Sequence, residues 1–168
     1  MFDDNLALFN GLIDLIEKWN PIPFSNEKQY QEDLYGYLCD LQDRGAIKSH
    51  RRILRERGTN RADIVIDDKI AIELKKDLKH QPSVDRCVAQ IKRMKNEYNF
   101  VIVVIVGESN SRQHITLLKH ELQEFLQNDG IFGNEKSIKV VNIGDKRTPK
   151  ESNYGIFGNT DFSIKGLI

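Results

Sequence analysis

The chain has 168 residues, is 39% hydrophobic and 30% charged, and its 25 basic residues balance 25 acidic ones. That composition fits a single polar-surfaced globular domain, residues 1–168, able to bury about two-thirds of its unfolded surface. It holds no run of about 18 apolar residues, which excludes a transmembrane helix.

Asp3 and Asp4 replace the basic segment that would open a secretory signal. Residues 3–18 then space Leu6, Leu8, Phe9, Leu12, Ile13, Leu15 and Ile16 as one face of an amphipathic helix. Asn20-Pro21-Ile22-Pro23 stops it. Ser25 or Asn26 caps a second helix to about Leu41, with Tyr30, Leu34, Tyr37, Leu38 and Leu41 as its stripe. Residues 47–56 read as a strand ending in a turn at Glu56-Arg57-Gly58. Two short strands follow, around Asp63 and Glu73. Ser83, after Pro82, caps a helix to about Tyr98, with Val84, Cys87, Val88, Ile91 and Met94 on one face. Phe100–Val106 is wholly apolar, as expected of a central strand covered on both faces. A helix from about Arg112 to Gln127 and a strand at Ser137–Ile143 complete the order. The fold class is α/β in the broad sense, an α+β mixed sheet flanked by helices. Gly130-Ile-Phe-Gly-Asn134 recurs as Gly155-Ile-Phe-Gly-Asn159, an echo with no function attached. Cys39 and Cys87 form no CxxC pair and read as reduced core cysteines of a cytoplasmic protein.

Charge is distributed unevenly. Residues 1–43 hold nine acids against Lys18 and Lys28. Residues 44–61 hold Arg44, Lys48, Arg51, Arg52, Arg55, Arg57 and Arg61 against Glu56 alone. A basic stripe leading into Asp63 suits a phosphate-backbone partner. The same stripe also suits a solvated strand edge protected from aggregation.

The informative segment is Arg61-Ala-Asp63-Ile-Val-Ile followed by Ile70-Ala-Ile-Glu73-Leu-Lys75. Strand alternation puts Glu73 and Lys75 on one face, with Ile70, Ile72 and Leu74 on the other. A three-residue loop at 67–69 sets Ile66 opposite Ile70, Ile64 opposite Ile72 and Ala62 opposite Leu74, making one apolar face. A two-residue loop would split those residues between faces. The register that builds a core therefore also sets Asp63 opposite Glu73, with Cβ atoms roughly 5 Å apart. Two charges at that separation repel by roughly 3 kcal/mol at an effective dielectric near 20. Either one carboxylate holds a proton at raised pKa, or a cation lies between them. A hard divalent ion such as Mg²⁺ suits such a pair.

The pattern Asp63 … Glu73-Leu74-Lys75 resembles that of the PD-(D/E)XK nuclease superfamily, with Ala62 in place of the proline. Around the motif it looks closest to resolvase-like and archaeal-type nuclease domains. The resemblance spans about residues 26–106 and implies a restriction-endonuclease-like core, αβββαβ. The N-terminal helix and a helix–strand extension over about 107–168 are additions to it. It implies that Asp63, Glu73 and the Leu74 backbone carbonyl bind Mg²⁺, for which Mn²⁺ can substitute. Lys75 would then orient or deprotonate the attacking water, or stabilise phosphorane-like charge. Its alternative is an ion pair with Glu73.

Related nucleases place another acid on the first core helix, and Glu27, Glu32 and Asp33 are the candidates. At 100° per residue Glu27 falls in the apolar stripe, Asp33 on its flank and Glu32 opposite, so Glu27 is preferred. Helix N-terminal placement alone also favours a carboxylate there. Arg57 and Arg61 flank the turn before Asp63 and are candidates for clamping phosphate, with Arg51 from the same stripe. Gln90 matches a helix glutamine of RecB-like relatives, though Met94 stands where those carry tyrosine.

These readings lead to a Mg²⁺-dependent endonuclease acting on duplex or branched DNA, with no membrane partner and a homodimer as a plausible cutting unit. The alternative is a non-catalytic nucleic-acid-binding or assembly module that kept the fold. No zinc-ligand cluster and no phosphate-binding Gly-Lys-Ser/Thr loop points to other chemistry.

Overall fold

The computed structural model describes residues 2–59, 61–107, 112–128 and 138–144. Among the described residues four helices and five strands follow in the order α1 (Phe2–Lys18), α2 (Glu27–Asp43), β1 (Ile53–Arg57), β2 (Ala62–Ile66), β3 (Ile70–Lys76), α3 (Gln81–Lys95), β4 (Phe100–Val106), α4 (Arg112–Asn128) and β5 (Ile138–Asn142). The strands form one mixed sheet in chain order, β1 through β5. β1, β2 and β3 make an antiparallel meander. β4 and β5 add in parallel, each after a helical crossover.

The hairpin has the register that the apolar pattern requires, with Ile66 opposite Ile70 and Ile64 opposite Ile72. One face of the sheet packs Ile64, Ile66, Ile70, Ile72, Leu74, Ile102 and Val104 against α1 and α2. The other packs Val65, Ala71, Val101, Val103 and Ile105 against α3 and α4. All of β4 except Phe100 is buried, because helices cover it on both sides. Each such aliphatic side chain contributes about 1.5–3 kcal/mol on leaving water.

Three expectations need correction. The strand expected over 47–56 starts only at Ile53. Before it the chain turns, with Arg51 N–H donating to the Lys48 carbonyl, and the Gln42 amide takes the Lys48 and Arg51 carbonyls. A helix side chain thus satisfies backbone groups that a strand partner would otherwise hold. Helix α3 begins at Gln81, two residues before Ser83, with His80 as its N-cap and proline in the first turn. Ser83, the third helical residue and not the N-cap, donates to the His80 carbonyl and accepts from the His80 N–H at 3.4 Å. Ala62 packs in the α3–α4 cluster, whereas Leu74 packs in the α1–α2 cluster, so the apolar face expected to hold both does not. Ala62 directly follows Arg61, which has a left-handed backbone (φ 46) at the start of the strand. The echoed Gly-Ile-Phe-Gly-Asn segments lie outside the described residues.

Asn26 resolves the start of α2. It forms a full capping box with Gln29, which fixes where Glu27 enters the helix. Among the described residues no helix is long and apolar enough to cross a membrane.

Candidate active site

The two carboxylates lie at the end of the β2–β3 hairpin remote from its turn. Asp63 accepts from the Leu74 amide through Oδ2 at 2.8 Å and from Gln31 Nε2 through Oδ1, also at 2.8 Å. Glu73 is 2% exposed and is the one buried charged residue among the described residues. Its Oε1 accepts from Lys75 Nζ at 2.5 Å and from Gln90 Nε2 at 2.7 Å. Its Oε2 is buried with no hydrogen-bond partner. Glu27 closes the group from α2. Its Oε2 accepts from the Lys76 amide at 2.9 Å, and its Oε1 lies 3.8 Å from Lys75 Nζ.

Helices from both sides of the sheet reach this edge. Glu27 and Gln31 are one turn apart on α2 and point the same way, while Gln90 comes from α3. Leu74 sits between, with its side chain in the α1–α2 core and its amide on Asp63. Its hydrogen bond to the site is thus made through its N–H.

The electrostatics are strained in one direction. Burial, and then the charge of Glu73, push the Asp63 carboxyl from its usual range up to about 7. The Leu74 amide and Lys75 oppose this but do not cancel it. Burial also raises the Glu73 carboxyl, against the pull of Lys75 and Gln90. Burial alone would lower the Lys75 ammonium, but contact with Glu73 outweighs it and raises the pKa, so Lys75 is held protonated. Below Lys75, burial pushes the Cys87 thiol up to about 12, which keeps it neutral and inert.

The donor set fits a hard cation. All candidate ligand atoms are oxygens, one is buried without a partner, and two carboxylates share more negative charge than one ammonium offsets. Three ligand atoms within 4.8 Å of one another occur, among the described residues, in His120, Glu121 and Glu124 on α4. That helix surface is mostly exposed and has no buried oxygen of this kind. At the hairpin the Lys75 ammonium lies between Glu27 and Glu73, a positive charge where the acids need one.

Several sequence candidates fall elsewhere. Arg51 is spent: its guanidinium donates to Asp67 at 2.7 Å and to Asp4 at 2.6 Å, and its side chain is only 9% exposed. Asp67 lies in the hairpin turn, at the far end from Asp63, so Arg51 is not available to a phosphate at the site. Arg61 is exposed and immediately precedes β2. The side chain of Arg57 lies outside the described residues. The turn between them is pinned: Gly58 has φ 84, and a Cβ there would collide with the Tyr98 hydroxyl and the Glu97 carboxylate. Of the other α2 acids, Asp33 accepts from Trp19 Nε1 at 2.9 Å, and Glu32 is exposed. Gln31 was not singled out from sequence, although its place four residues after Glu27 was the available signal.

The chain matches no protein-family model, no curated protein and no solved structure.

Proposed function

We propose that the protein is a divalent-metal-dependent DNA endonuclease of the PD-(D/E)XK kind. The observation that carries this reading is the buried, unpartnered Oε2 of Glu73 beside Asp63. A pair of desolvated acids is costly to a fold and is kept only where something positive compensates it. Here one ammonium compensates in part.

Asp63, Glu73 and the Leu74 carbonyl would hold Mg²⁺ or Mn²⁺. When bound, the ion supplies Lewis-acid stabilisation of phosphate charge and acidifies a water. The chain's own groups do the rest. Gln31 and the Leu74 amide fix both oxygens of Asp63, and Gln90 fixes Glu73, so neither carboxylate has to reorganise. Lys75, held protonated, donates to the charge that develops on a phosphate oxygen during attack. Glu27, anchored on the Lys76 amide, keeps Lys75 directed into the site and orients a water.

The test is nicking of supercoiled DNA with Mg²⁺ or Mn²⁺, alongside calorimetric titration with Mn²⁺. Asp63→Ala and Glu73→Ala should each abolish cleavage and weaken Mn²⁺ binding. Cleavage that persists in both variants rejects the reading.

A further inference from the structure

A cleft of about 430 Å³ opens in front of Asp63, lined by Lys28, Gln31, Glu32, Arg55, Glu56 and Asp63. Its two cations differ from most of the basic stripe. Arg44 is paired with Asp40, Arg51 with Asp4 and Asp67, and Arg52 with Asp68. Among the described residues neither Arg55 nor Lys28 has an acidic partner. Arg55 instead lies over the Tyr35 ring, 4.7 Å from its centroid. Stacking of that kind restrains the guanidinium while leaving its N–H fork free to donate. Lys28 is exposed on α2, one turn before Glu32.

We infer that this cleft is a phosphate subsite for a nucleic-acid strand. Arg55 and Lys28 grip a phosphodiester next to the one presented to Asp63 and Glu73. The inference rests on the nuclease reading of that site. Glu32, Glu56 and Asp63 line the same cleft, so its two cations face three carboxylates. The strand is therefore admitted once a divalent cation offsets the acids, and binding at this subsite requires one.

The experiment uses the full chain and a short fluorescent DNA duplex. Anisotropy is followed in Ca²⁺ and in EDTA from about 50 to 200 mM salt, the range over which phosphate contacts report themselves. In Ca²⁺, Lys28→Ala and Arg55→Ala should each weaken binding about tenfold and lower the salt slope by about 0.9. Arg44→Ala and Arg52→Ala, which lose only paired charges, should change it less than about twofold. In EDTA the four variants should bind as weakly as the parent. Equal losses in all four variants, or none at Lys28 and Arg55, overturn the subsite. Cleavage by the parent with KM unchanged in the double variant also overturns it, while leaving hydrolysis standing. Conversely, binding that depends on Lys28 and Arg55 without any cleavage in Mg²⁺ or Mn²⁺ keeps the subsite and rejects the nuclease. A parent that binds no DNA rejects both.

Discussion

The β2–β3 hairpin carries a pair of acids at each end, and the two pairs are treated oppositely. At the turn, Asp67 accepts from the Arg52 amide at 2.8 Å and from Arg51, and Asp68 meets Arg52. Both aspartates have φ 54, a left-handed backbone that aspartate tolerates in turns. At the open end, Asp63 and Glu73 are bound mainly by neutral amides, and among the described residues Lys75 is the one cation in contact. The same residue type therefore fixes a loop where guanidinium groups match it, and stores unfavourable charge where they do not. Acids in the first setting are neutralised within the fold; acids in the second keep a charge that the fold does not fully offset, as the proposed metal site requires.

Four substitutions break or sharpen that contrast. Glu73→Ala removes the buried acid of the open end and should lower the cleavage rate by about 10³-fold or more, read by single-turnover assay. Arg51→Ala strikes the turn end and should cost about 2 kcal/mol in urea unfolding, since it leaves Asp67 short of a partner. Its cleavage rate should hold. Asp63→Asn separates the two kinds of acid most cleanly. A carboxyl raised from 3.8 to about 7 contributes stability that is fully present below its unfolded value and is lost as pH rises through about 7. The metal-free protein should thus lose stability between about pH 4 and 7, and Asp63→Asn should flatten that slope. At pH 8 the variant should be more stable by about 1–2 kcal/mol, read by thermal melting in EDTA, while cleaving nothing. Arg44→Ala, at an exposed pair one turn apart on α2 and its cap, should shift stability by less than about 0.5 kcal/mol.

Much of the hairpin was legible because one requirement fixed several positions at once. Only a three-residue loop gathers Ile64, Ile66, Ile70 and Ile72 onto one face, and that choice also sets where Asp63 and Glu73 stand. Glu27 was legible for a similar reason, since helical spacing places it among apolar residues. What escaped depends on partners distant in sequence. Nothing near Arg51 announces Asp4, 47 residues away, so the stripe looked uniform although Arg44, Arg51 and Arg52 were already committed to acids. Gln31 escaped because a glutamine on a helix flank is ordinary until Asp63, 32 residues on, comes within 2.8 Å. The side taken by Ala62, at the first residue of β2, departs from the alternation that holds for Ile64, Val65 and Ile66.

One consequence concerns β3. The strand bearing Glu73 and Lys75 is bonded to β2 on one side and, along its whole length, to β4 on the other. Its amide hydrogens should therefore exchange with solvent only when the entire molecule opens, among the slowest in the protein. The Glu73 carboxylate is therefore tied to the most protected part of the sheet, and heat should release it and melt the centre of the molecule in a single transition.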